Sequence, residues 1–145
     1  MNTMTHRFYT LFLYLALCTW ATSCSKDKPA PTPEPTAEEL ILGKWYIHKI
    51  TKPDGSVHEP ANDCEKGSFY KFDDENEITS VNYYLDGDEC QRSIGAGDFL
   101  LADNGKKLVV TTSDGVATTI DVLTLNESTL ELKIEGDTIY LKKND

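Results

Sequence analysis

From Trp45 onward the chain alternates apolar and polar residues in short runs, and Asp, Asn and Gly interrupt the runs at close intervals. The runs cover residues 45–50, 68–72, 78–85, 94–102, 107–112, 116–125, 129–135 and 138–142. The clearest sets Leu130, Leu132 and Ile134 against Thr129, Glu131, Lys133 and Glu135. A period of two puts successive side chains on opposite faces of a strand, one dry and one wet. Between the runs stand Pro53-Asp54-Gly55, Asp73-Asp74-Glu75-Asn76, Asp86-Gly87-Asp88, Asp103-Asn104-Gly105, Ser113-Asp114-Gly115 and Glu135-Gly136-Asp137. Such residues accept the positive φ that tight hairpins require. Hairpins in series with no helix between them make antiparallel neighbours. The expected fold class is therefore all-β, an antiparallel up-and-down barrel of about eight strands, with a β-sandwich as the alternative.

Ahead of the strands, Thr36-Ala37-Glu38-Glu39 has capping-box spacing and leads into Leu40-Ile41-Leu42. One or two helical turns are expected there, ending at Gly43. The first 23 residues read as a separate unit. Arg7 precedes an almost unbroken apolar run over residues 8–20, too short for a bilayer span but suited to an export signal. Ala21-Thr22-Ser23 before Cys24 resembles the lipobox of bacterial lipoproteins, with Ala21 where Leu is commonest. The resemblance implies that cleavage makes Cys24 the N-terminus and that its thiol and amine carry acyl chains such as palmitate. More than one chain is what stable anchoring needs. An ordinary cleaved signal with a free Cys24 is the alternative.

Ser25-Lys26-Asp27-Lys28 and the Pro-rich stretch over residues 29–35 cannot bury a core and read as an extended spacer. Ser25 beside Cys24 resembles the pattern of outer-membrane lipoproteins. Lys26-Asp27 is similar to the charged signal of surface lipoproteins in Bacteroidota. The expected organisation is a signal peptide at 1–23, a lipidated tether at 24–38 and a folded domain at 39–145. The domain is expected outside the inner membrane, on the periplasmic or the cell-surface side of the outer membrane.

Acidic residues number 24 against 14 basic, a net charge of -10, and loss of Arg7 with the signal would take it to -11. Phosphate backbones are bound by clustered Lys and Arg, so nucleic acid is not an expected partner. With Cys18 in the signal and Cys24 lipidated, Cys64 and Cys90 are left to the domain. No CxxC or His spacing accompanies them, so in an exported domain a disulfide is expected, two unpaired thiols being the alternative.

Catalytic signals are thin. His48 lies in the first strand and His58 in the loop before the second, and no nucleophile elbow accompanies them. The acidic groups over residues 73–77 and 86–89 lack EF-hand spacing and read as solvated hairpin tips. No enzyme, metal or cofactor is expected. Phe69-Tyr70 and Tyr83-Tyr84 each place aromatics on both faces of a strand, one of each pair for the core and one for a mouth or partner surface.

A short helix, then Gly43-Lys44-Trp45 opening the first strand of a β-series, resembles the calycins. Leu42-Gly43-Lys44-Trp45, Cys64, the aromatic strand at residues 69–72, Cys90 and the Ile120-to-Leu132 pattern resemble more closely the lipocalin-like domain of Bacteroidota lipoproteins. The resemblance covers residues 40–142. It implies that Gly43 and Trp45 form the barrel floor and that a basic residue of the last strand covers Trp45. Only Lys142 or Lys143 could do so, and a solvated strand end is the expectation for both. Short strands favour a shallow interior filled by side chains. The resemblance implies a noncatalytic module for a small apolar ligand. The alternative is an interaction or inhibitor module whose acidic surface attracts a basic partner, such as a lysozyme or cationic peptide.

Overall fold

The structure is a computed structural model and describes residues 33–143. The expected signal peptide, Cys24 and most of the tether lie outside the described residues. Helix α1 spans Ala37–Ile41, with a complete capping box: the Thr36 hydroxyl accepts from the Glu39 amide at 3.2 Å and the Glu39 carboxylate from the Thr36 amide at 2.8 Å. Two otherwise orphan N–H groups are thereby satisfied. Gly43 follows Leu42 with φ +109°, a conformation side chains disfavour, and turns the chain from the helix into the first strand.

Nine strands follow: β1 Gly43–Thr51, β2 Val57–His58, β3 Phe69–Phe72, β4 Glu77–Asp86, β5 Glu89–Ala102, β6 Lys107–Thr112, β7 Ala117–Leu125, β8 Thr129–Ile134 and β9 Asp137–Lys142. From β3 to β9 each pairs antiparallel with its neighbour in sequence, and β1 bonds to both β3 and β9. That last pairing closes a barrel of eight strands, and the sandwich is ruled out. β2 is an addition to the expected series. It is a two-residue strand on the end of β1, with His58 opposite Ile50, where the sequence reads as loop.

Two bulges reconcile sequence and closure. His48 falls between the registers Ile47↔Leu141 and Lys49↔Tyr140 and stays exposed. Leu123 falls between Val122↔Leu132 and Thr124↔Glu131 and is 52% exposed. The extra residue shifts the alternation, so Val122 and Leu125 both pack on the core although their spacing is odd. Trp45, Leu108, Leu130 and Leu141 are fully buried, and Phe72 meets Phe99 edge-on with centroids 5.1 Å apart.

The β4–β5 hairpin is longer than expected. Its register runs unbroken from Glu77↔Asp98 to Asp86↔Glu89, whereas β5 meets β6 only from Gly97 onward. The first half of β5 therefore has a neighbour on one side only, and a seam opens in the barrel wall between it and β6.

Candidate functional site

At the floor of the barrel, the Trp45 indole N–H donates to the Ile41 carbonyl at 2.7 Å and ties the end of α1 to the core. The Lys143 ammonium lies 4.6 Å from the centre of the Trp45 ring and donates to the Leu40 carbonyl at 2.9 Å. Its pKa is lowered by desolvation. The sequence expectation of a solvated end holds for Lys142, which is exposed, and is corrected for Lys143. The Lys143 amide bonds to the Ser128 carbonyl at 3.2 Å, which fixes the end of the chain where its side chain can fold over the indole. Gly43 stands beside Lys143, and Trp45 is fully buried.

Cys64 and Cys90 form a disulfide with Cα atoms 5.8 Å apart. Cys90 lies within β5, opposite Leu85, and not beyond a strand end as its polar surroundings suggest. The bridge holds the short 3-10 turn Glu65–Gly67 against the β4–β5 hairpin. Ser68 continues the attachment by accepting from the Tyr83 amide at 2.9 Å. Tyr83 is half-buried against Gly67, where an added Cβ would stand 3.2 Å from the ring. Tyr84 is 49% exposed, so neither tyrosine of that pair is core, contrary to expectation. In the other pair, Phe69 packs with Tyr46 at 5.9 Å between centroids, and Tyr70 turns the opposite way, into the barrel.

Inside the barrel is a cavity of about 150 Å³. Its walls are the hydrocarbon side chains of Phe72, Ile78, Leu108, Val110, Ile120, Leu132 and Ile134, together with Tyr70, Ser80, Gly95, Ala96 and Thr112. Cross-strand register puts Trp45, Tyr70, Ser80 and Gly95 in one row and Phe72, Ile78, Gly97 and Thr112 in the next. Gly95 makes room for Ser80, whose hydroxyl would lie 2.6 Å from a Cβ there, and a Cβ on Gly97 would collide with the Thr111 carbonyl. Gly95 and Ala96 are exposed as well as cavity-lining, so the cavity reaches the surface at the seam.

A family model described as a lipocalin-like domain matches residues 41–132. The chain belongs to the lipocalin-like family. No curated protein matches it. Among solved structures, it is similar to a lipocalin-like protein from Bacteroides uniformis at 19% identity and TM-score 0.57, covering 72% of this chain and 98% of that one. It is also similar to an uncharacterized protein from Bacteroides eggerthii at 18% identity and TM-score 0.56, covering 72% and 99%. The lipocalin-like fold is of the ligand-binding type, and the family is in general noncatalytic.

The other residues singled out from the sequence do not converge. His48 and His58 are both exposed, on the bulge of β1 and on β2. Asp73 accepts from the amides of Glu75 and Glu77 at 3.2 and 3.0 Å, shaping its own turn. Among the described residues no three His, Cys, Asp or Glu side chains are grouped to hold a metal ion. Of the cavity walls, Tyr70 carries the sequence expectation of its aromatic pair, core or mouth, while Ser80 and Gly95 carry none. Their available signal is Gly95-Ala96-Gly97 inside a strand, since glycine there marks a close approach.

Proposed function

We propose that this lipocalin-like protein is a noncatalytic, lipid-anchored binding module at the outer membrane, taking a small apolar ligand into the barrel. The observation that carries this reading is the cavity, whose walls are mostly hydrocarbon and which is open at the seam between β5 and β6. A space of about 150 Å³ walled mostly by hydrocarbon is large enough for a ring-sized hydrocarbon. Titration with ethylbenzene, followed by calorimetry or by shifts of methyl resonances in Leu108, Ile120 and Leu132, should give saturable binding. Absence of saturation up to the solubility limit would remove small-ligand binding. The alternative, a basic protein drawn to the acidic surface, rests on net charge alone and is the weaker reading.

Anchoring through Cys24 rests on the small residues before it and the Pro-rich stretch after it. Mass spectrometry of membrane fractions should find diacylglycerol on an N-terminal Cys24. A soluble product cleaved elsewhere would end the lipoprotein reading and leave the barrel reading intact.

A further inference from the structure

Tyr70 on β3 and Ser80 on β4 are cross-strand partners, and both line the cavity. Among the described residues neither hydroxyl has a hydrogen-bond partner. Nor is either sealed into the protein, since no fully buried side-chain polar atom of the described residues lacks a partner. Thr112 carries the third hydroxyl of the wall, and it is engaged by Asp114 and by the Val116 carbonyl at 3.1 Å. Two adjacent hydroxyls without a protein partner thus stand on residues that line a space otherwise walled by hydrocarbon. A ligand that is apolar throughout would cover them and leave both unsatisfied, whereas one carrying an acceptor at that level would satisfy them.

The walls also restrict the charge of that polar group. None of the lining residues is ionised, so a carboxylate or ammonium entering the cavity would be desolvated with no counter-charge. Burial pushes the Tyr70 phenol above its ordinary pKa, which keeps it a neutral donor. Phe72, Leu108, Ile120 and Leu132 supply hydrocarbon wall, so the apolar part of a ligand belongs against them and its polar atom beside Tyr70 and Ser80. We propose that the cavity takes one end of an uncharged amphiphile, a ring or short chain of about six to eight carbons whose carbonyl or hydroxyl is held by Tyr70 and Ser80. This inference rests on the ligand-binding reading above and specifies the ligand class.

Acetophenone and ethylbenzene test it, because they share a skeleton and differ in one carbonyl oxygen. Hydrocarbon transfer alone favours ethylbenzene, so the informative quantity is the effect of Tyr70→Phe on each. The variant should weaken acetophenone about five-fold, the loss of one neutral hydrogen bond, and leave ethylbenzene within about two-fold. Ser80→Ala should act in the same direction. An unchanged melting temperature in Tyr70→Phe would show that the hydroxyl serves the ligand rather than the fold. Benzoate should bind at least about ten-fold more weakly than acetophenone, for want of a cation. If Tyr70→Phe changes both probes alike, or benzoate binds as well as acetophenone, the amphiphile assignment falls while ethylbenzene binding still supports the apolar site. If ethylbenzene and acetophenone both fail to bind, this inference and the proposed function fall together.

Discussion

Replacing Trp45 with Ala should cost about 3 to 5 kcal/mol, the range for deleting a large buried aromatic. Trp45 is fully buried among Ile41, Leu130 and Leu141 in the core, and its loss would remove more than packing. The Ile41 carbonyl would lose its indole donor and Lys143 the ring beneath its ammonium. Helix α1 has five residues, too few to persist in water unaided, so it should detach along with its anchor. Against a stability of about 5 to 15 kcal/mol for a domain, denaturant midpoints should fall severely. Trp45→Phe should recover part of the loss, since a ring remains under Lys143 while the donor is gone. A Trp45→Ala protein that unfolds with the parent's midpoint would refute this account of the floor.

Removing the disulfide with Cys64→Ser and Cys90→Ser should cost about 3 to 4 kcal/mol, the loop-closure expectation for a separation of 26 residues. The native-state part of that loss should fall on the β4–β5 hairpin. Residues 89–96 have a strand neighbour on one side only, and the bridge and Ser68 hold the hairpin to the 3-10 turn. Hydrogen exchange should therefore quicken first at Tyr83 and Tyr84, ahead of Leu108 and Leu132 in the core. Thiol labelling of the unfolded, unreduced protein should find neither cysteine. Stoichiometric labelling of both, or equal midpoints before and after reduction, would contradict the role assigned to the bridge.

Most of the strands were legible in the sequence because their information is local. The alternation at residues 129–135 and the turns at Asp103-Asn104-Gly105 and Glu135-Gly136-Asp137 need only neighbouring residues to be read. Asp103, Asn104 and Glu135 do adopt positive φ, with 52°, 53° and 50°. The capping box at Thr36 is equally local, and Thr36 and Glu39 form it. The exceptions are places where a partner strand decides. Leu123 looks like core by composition, but the register of β7 on β8 expels it. The first residues of β5, polar and carrying Cys90, fall outside the apolar runs of the sequence, yet ten cross-strand pairs with β4 extend the strand through them.

The candidate site was less legible than the fold. Gly43 and Trp45 were visible through their family pattern, whereas Tyr70 and Ser80 are ten residues apart and lie in different strands. The register of β3 on β4 sets them side by side, and the early parting of β5 from β6 opens the cavity beside them.

Local patterning by itself determined that this chain makes short antiparallel strands, which faces of them are dry, and where the turns fall, because those depend on side-chain period and backbone φ. Tertiary structure alone decided that β9 returns to β1, that Lys143 rather than Lys142 covers Trp45, and that a small cavity remains where Gly95 thins the wall of β5. The physical reason is that closure, register and residual volume are properties of all the strands packed together, and no single segment encodes them.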